Sequence, residues 1–241
     1  MKRFKLLGIV MLAVFAFAAV LAASASAATF LLAEWLVGGT AVSTELLTES
    51  IGELLLEDTS TPLGKADVLC SGNLEGWVGP NSLDWISEVL SLSGGAAGNT
   101  GLSGTALVCV NQMNCEEPLV WAAHLPWETE VELMEDTTVF FADLILPHSG
   151  GGQPGWEVEC MKSLIGPITD ECTGPEGAVS ELSLEGTTLL GNFSTAFTEL
   201  AGIKLATCSL GGENSGIVEG SAPVILNEGG ELTASSEGVV S

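Results

Sequence analysis

Period-two alternation constrains this chain more than any other feature. In Trp127-Glu-Thr-Glu-Val-Glu-Leu133, Trp127, Thr129, Val131 and Leu133 share one side of an extended strand, and Glu128, Glu130 and Glu132 the other. Gly155-Trp-Glu-Val-Glu-Cys160 repeats the pattern, with Trp156, Val158 and Cys160 opposed to Glu157 and Glu159. A helix would scatter those glutamates around its circumference, so both runs predict half-buried β-strands. Residues 138–146 are the expected hairpin partner of the first run, after the acidic turn at Glu135-Asp136. Residues 165–172 can return antiparallel along the second and bring Cys172 near Cys160.

Glycine punctuates the rest of the chain, 30 residues of it scattered between apolar runs. Strands are expected at 29–37, 66–70, 74–78, 83–92 and 102–110. The turns between them fall at Gly38-Gly39, Thr61-Pro62-Leu63-Gly64, Ser71-Gly72-Asn73 and Gly79-Pro80-Asn81-Ser82, with an exposed loop at 94–101. Residues 44–57 read two ways. Leu47, Ile51, Leu54 and Leu55 have helical spacing, with Ser43 or Thr44 as N-cap. Gly52 costs a helix about 1 kcal/mol, which tips the reading to strand. Beyond Cys172, short runs at 179–184, 192–197, 203–208, 217–219, 224–226 and 231–234 alternate with turns. The expected fold is all-β, a disulfide-stapled antiparallel sandwich or barrel of many short strands.

The chain starts with Lys2, Arg3 and Lys5, then an uncharged apolar run over 6–21, then Ala25-Ser26-Ala27. This is the pattern of a signal peptide over 1–27. No cysteine follows to take a lipid, so a secreted or extracellular protein is expected, free or associated with the cell surface. Residues 28–241 then form one β-rich domain, with two sub-halves meeting near 147–155. Three of the six Lys and Arg fall in the signal and none of the 31 Asp and Glu does, so the mature charge is 3 − 31 = −28. Such a surface repels phosphate backbones and anionic lipids, which argues against nucleic acid and against stable membrane insertion after cleavage. A divalent cation, a polysaccharide and a basic protein remain as partner classes. Disorder does not fit a chain that is 46% hydrophobic.

Six cysteines in an exported chain predict disulfides. The local pairs Cys109–Cys115 and Cys160–Cys172 are favoured among 15 connectivities, leaving Cys70–Cys208 to join the ends. There is no Cys-x-x-Cys, so thiolate zinc is not expected.

Catalytic chemistry finds little support. Gly-x-Ser-x-Gly and His-Glu-x-x-His are both absent, and the histidines are His124 and His148 alone. Two carboxylates could run glycoside hydrolysis, but in so acidic a chain abundance identifies no pair. If the strands bearing Glu128, Glu130 and Glu132 and Glu157 and Glu159 were direct neighbours, like charges would oppose. These five glutamates are therefore the weak candidates for a metal, calcium being the ion that suits clustered carboxylates. The six tryptophans (Trp35, Trp77, Trp85, Trp121, Trp127 and Trp156) raise a sugar-binding surface, although the complete absence of tyrosine speaks for core packing.

Several stretches carry a resemblance. They include Leu31-Leu-Ala-Glu-Trp35, Val68-Leu-Cys-Ser-Gly72, Leu125-Pro-Trp127, Trp156-Glu-Val-Glu-Cys160, Thr169-Asp-Glu-Cys172 and Cys208-Ser-Leu-Gly-Gly212. The chain resembles a group of secreted, cysteine-containing proteins of unknown function from high-GC Gram-positive soil bacteria. The resemblance implies export and a single architecture; it brings no activity, ligand or catalytic residue. The expectation is a non-catalytic structural or surface-interaction protein without a cofactor. A carbohydrate- or calcium-binding module is the alternative, and a carboxylate glycosidase comes third.

Overall fold

The computed structural model describes residues 29–91, 106–135, 139–147, 152–162, 166–175, 177–193 and 206–236. The expected signal peptide, the expected loop at 94–101 and His148 lie outside those residues. The strands are β1 (Thr29–Leu32), β2 (Glu34–Val37), β3 (Thr40–Ala41), β4 (Leu46–Thr61), β5 (Gly64–Val78) and β6 (Leu83–Ser91). Then come β7 (Leu107–Met113), β8 (Leu119–Ala123), β9 (Trp127–Glu135), β10 (Val139–Leu146), β11 (Gly155–Lys162) and β12 (Gly166–Thr173). The last are β13 (Ala178–Glu185), β14 (Thr188–Phe193), β15 (Ala206–Cys208), β16 (Gly212–Leu226) and β17 (Leu232–Ser235). No helix occurs among the described residues, so none there is long and apolar enough to cross a membrane.

Three strands are far longer than expected and organise the rest. β4 pairs with β5 from Leu46↔Val78 to Thr61↔Gly64, and with β16 on its other side from Thr48↔Leu226 to Asp58↔Gly216. The neighbours of this three-stranded ribbon change halfway along. On β5, Asp67 to Ser71 pair with β7, and Gly72 to Val78 pair with β6. On β16, the stretch from Gly212 to Gly216 pairs with β15, and Gly220 to Val224 pair with β14.

Following the pairings gives two closed antiparallel rings that share the ribbon. Ring A runs β4, β5, β7, β8, β11, β12, β15, β16 and returns to β4. Ring B runs β4, β5, β6, β9, β10, β13, β14, β16 and returns to β4. The sandwich-or-barrel choice is thus a barrel, twice. Both rings draw strands from either side of 147–155. β1 adds to the edge of β9. The separate sheet β17-β2-β3 closes on ring B, since Trp35, Val42 and Leu232 share one core cluster with Val78, Val131, Leu182 and Leu226. Ring A has its own core, built on Leu56, Val68, Val120, Trp156 and Val158.

The fork explains why the sequence pattern of these long strands resembles that of several short ones. Ser71-Gly72-Asn73 is not a turn; Gly72 sits in mid-strand directly opposite Gly52. A Cβ at Gly52 would lie 2.6 Å from the Ala222 Cβ, and one at Gly72 2.9 Å from the Leu107 Cδ2. Glycine there permits close approach of the walls where the ribbon passes from one ring to the other. The same holds in β16, where the runs at 217–219 and 224–226 belong to one strand through Gly220, whose φ is +145°. Residues 44–57 are strand, and the helical spacing of their leucines is incidental: Leu47 and Ile51 point outward, 61% and 44% exposed, while Leu56 is buried.

All six cysteines are paired, but not as expected. The bonds are Cys70–Cys109, Cys115–Cys160 and Cys172–Cys208, with Cα–Cα distances of 4.1, 4.8 and 4.0 Å. Cys109–Cys115, Cys160–Cys172 and Cys70–Cys208 do not form. Cys109 lies inside β7 and faces Cys70 across the sheet, while the strand carries the chain away from it to Met113. The β11–β12 hairpin is present, but its register sets Trp156 opposite Cys172 and Cys160 opposite Ile168. That is an offset of four residues, about 13 Å of strand. Such bonds suit an oxidising compartment.

Candidate functional site

The five candidate glutamates stand on two strands that do not pair with each other. β9 pairs with β1, β6 and β10, whereas β11 pairs with β8 and β12. No shared cation can join Glu128, Glu130 and Glu132 to Glu157 and Glu159 across one sheet pair. Each stripe has its own surroundings. Glu130 accepts a hydrogen bond from Ser82 Oγ at 3.0 Å. Burial, and then Glu130, raise the Glu132 carboxyl above its usual range. Burial, then Glu171 across the hairpin and Glu159, raise Glu157.

The tryptophans do not form an exposed platform. Trp35, Trp121 and Trp156 are buried, and Trp77, Trp85 and Trp127 are half-buried. Trp77 and Trp85 stack at 5.9 Å across β5 and β6. The indole Nε1 of Trp127 donates to the Ala123 carbonyl at 2.7 Å.

His124 sits on the crossing from β8 to β9. Its Nδ1 donates to the Gln153 carbonyl at 2.9 Å, and its Nε2 lies 3.5 Å from Glu171 Oε1. Both side chains are more than 40% exposed, so the pairing is a weak surface contact.

What the sequence reading missed lies inside the rings. Each encloses a pair of aspartates. In ring A, Asp58 and Asp170 are each 4% exposed and line a cavity of about 220 Å³ at the ring's end. Asp58 Oδ1 accepts from the Ser60 amide at 2.9 Å. Asp170 Oδ1 accepts from Ser209 Oγ at 2.8 Å and from the Leu210 amide at 2.9 Å. Asp58 Oδ2 finds no donor. Burial first, and then the neighbouring Asp58, raise Asp170 against the pull of Leu210 and Ser209. The neighbouring sulfurs of Cys172 and Cys208 are bonded to each other and offer a metal no thiolate.

In ring B, Asp84 and Asp143 line a smaller cavity of about 60 Å³ beside Trp35. Asp84 Oδ1, Asp143 Oδ1, Thr129 Oγ1 and Trp35 Nε1 are all buried without a hydrogen-bond partner of good geometry. Burial pushes the Asp143 carboxyl up to about 7. Burial, then the Asp143 charge, raise Asp84; Thr129 and Trp35 lie near enough to offset only part of this. One signal could have marked these residues. Asp143 is a lone acid in the apolar run Val139-Phe-Phe-Ala-Asp-Leu-Ile-Leu146, and Asp84 stands in Leu83-Asp-Trp-Ile86.

A third space lies at the waist between the rings, a cavity of about 150 Å³ walled by Val89, Leu107, Trp121, Trp127, Trp156 and Phe193. At roughly 24 cal/mol per Å³, an apolar space of this size costs a fold about 3–4 kcal/mol when nothing packs into it.

The outer face of the ribbon is the fourth feature. Glu49 has Glu75 opposite it on β5, and Glu88 follows on β6. Burial, then Glu49 and Glu88, raise the Glu75 carboxyl. Leu47, Ile51 and Ile225 surround Glu49 on its other sides, 61%, 44% and 48% exposed. At the ring A end, Lys65 bridges Glu57 at 2.5 Å and Asp67 at 3.3 Å. With these geometries in hand, comparison with known proteins adds nothing: no family model, no curated protein and no solved structure matches this chain.

Proposed function

We propose that this is a secreted, non-catalytic surface-interaction protein that works outside the cell, as a structural or adhesive element of the envelope or matrix. Its working surface is the outer face of the shared ribbon, and its partner is a basic macromolecule. The observation that carries the reading is the glutamate row Glu49, Glu75 and Glu88 set beside exposed Leu47, Ile51 and Ile225. Acidic groups flanked by aliphatic ones complement a chain that offers lysine or arginine with apolar neighbours, and the mature charge of 3 − 31 = −28 favours its approach. The basic start, apolar run and Ala25-Ser26-Ala27 support export, as do the three disulfides.

The test is binding to a panel of purified cationic proteins and amphipathic basic peptides at physiological salt. A Glu49→Gln/Glu75→Gln/Glu88→Gln variant should lose at least ten-fold in affinity, and Leu47→Ser should weaken binding further. A charge-matched control, Glu185→Gln/Glu213→Gln/Glu231→Gln, should bind as the parent does. Equal losses in both triple variants would reduce the effect to net charge and sink the assignment of this face.

A further inference from the structure

We propose that the cavity at the waist is a binding site for a small, uncharged, apolar molecule about the size of a single aromatic ring. The proposal does not depend on the outer face. The space of about 150 Å³ opens where the ribbon passes from ring A to ring B, and both rings supply its wall. Val89 comes from β6 of ring B, Phe193 from β14 of ring B, Leu107 from β7 and Trp156 from β11 of ring A.

The chemistry of the wall selects the ligand. Among the described lining residues, Ser50 is the single hydroxyl, no side chain is ionisable, and Cys70 is held in a disulfide. The Trp127 indole N–H is already committed to the Ala123 carbonyl. Water needs two to four polar partners to stay in such a space, and this wall does not offer them. A charged or hydroxyl-rich ligand would lose its hydration without replacement. Three indoles offer flat, polarisable faces, which suit an aromatic or branched hydrocarbon group. An apolar cavity of about this volume accommodates a benzene-sized molecule or xenon.

The fork also explains why side chains do not fill the space. The positions nearest the crossing are glycines that cannot be enlarged. A Cβ at Gly52 would meet Ala222, and one at Gly216 would lie 2.7 Å from the Ala206 Cβ and 2.8 Å from the Cys208 Sγ. The walls touch at the glycines and part beside them.

The experiment uses the mature, oxidised protein with toluene and xenon as probes and glucose as the hydrophilic control. Toluene should change tryptophan emission saturably and raise the melting temperature by a few degrees, because it binds the native state. Xenon should shift a discrete set of methyl resonances from the lining residues, and glucose should do neither. Two filling variants approach from different walls, Val89→Phe on β6 and Ala122→Leu on β8. Either one, if folded by the criterion of parent-like near-ultraviolet dichroism, should weaken the toluene response at least ten-fold. Absence of a saturable response to both probes in the parent would overturn the proposal. So would a toluene response that survives in a folded filling variant.

Discussion

Ring A and ring B share three strands, yet they are held by different means. Ring A carries all three disulfides, and two of them join residues directly opposite each other, Cys70 with Cys109 and Cys172 with Cys208. Ring B has none on the described strands that it does not share and is closed instead by the small sheet that brings Trp35 and Leu232 against its core. Each ring cavity is also lined by two aspartates, and their oxygens are satisfied to different degrees. Asp170 takes two good hydrogen bonds from Ser209 and Leu210, whereas Asp84 and Asp143 leave oxygens without partners. In the ring with covalent staples Asp170 has its donors while Asp58 Oδ2 has none; in the ring without them both acids leave an oxygen without a donor.

The largest effect should come from the staples. The bonds span 36 to 45 residues of sequence, and each should contribute about 3–4 kcal/mol. In a Cys172→Ala/Cys208→Ala variant, hydrogen exchange should accelerate first in β12 and β15 of ring A and last in β9 and β10 of ring B. Equal acceleration in both rings would show that the ribbon makes them one cooperative unit.

The next effect belongs to ring B. The folded-state value of Asp143, about 7, lies above its unfolded value of 3.8. The folded protein therefore holds a proton that the unfolded chain releases. This contribution is complete below about pH 4 and is lost as the pH rises to about 7, a change on the order of 3–4 kcal/mol. Denaturant midpoints measured from pH 5 to pH 8 should fall with pH. Asp143→Asn should flatten that slope and raise the midpoint at pH 8. Asp170→Asn should flatten it less, because Ser209 and Leu210 already stabilise the ionised form.

At the fork, Gly52→Ala should cost about 1–3 kcal/mol, since its methyl group would meet Ala222 at 2.6 Å. Gly186→Ala, at a turn with open space around it but with φ +67°, should cost about 1–2 kcal/mol from backbone strain alone. Parent-like thermal unfolding of Gly52→Ala would undercut the close-approach argument. The smallest effect is expected at Lys65, whose side chain is 40% exposed. Lys65→Met should cost about 1–2 kcal/mol, because Glu57 and Asp67 are 7% and 9% exposed, and the loss should shrink in high salt.

The elements that alternate cleanly were legible in the sequence. β9 with β10 and β11 with β12 follow from Trp127-Glu-Thr-Glu-Val-Glu-Leu133 and Trp156-Glu-Val-Glu-Cys160, because period two is a local property. The cysteine pairing was not legible, because Cys70 meets Cys109 only through the register of strands 39 residues apart. Glycine misled in one direction. At Gly38 and Gly39, with φ of +56° and +80°, it makes the turn its composition suggests. At Gly72 it sits in a long strand for reasons of packing that only the opposing Gly52 reveals. The aspartates that line the ring cavities were hidden by abundance, being four among 31 acids.

The shared ribbon sets a timetable as well as a shape. β4 and β5 end at Val78, and their third partner does not start until Gly212. A chain that emerges amino-terminus first can form the β4–β5 hairpin early, but neither ring can close until β16 has arrived. Folding is therefore governed by contacts distant in sequence, which makes it slow. Until then the polypeptide stays open and threadable, the condition in which a chain can be passed end-first through a narrow channel.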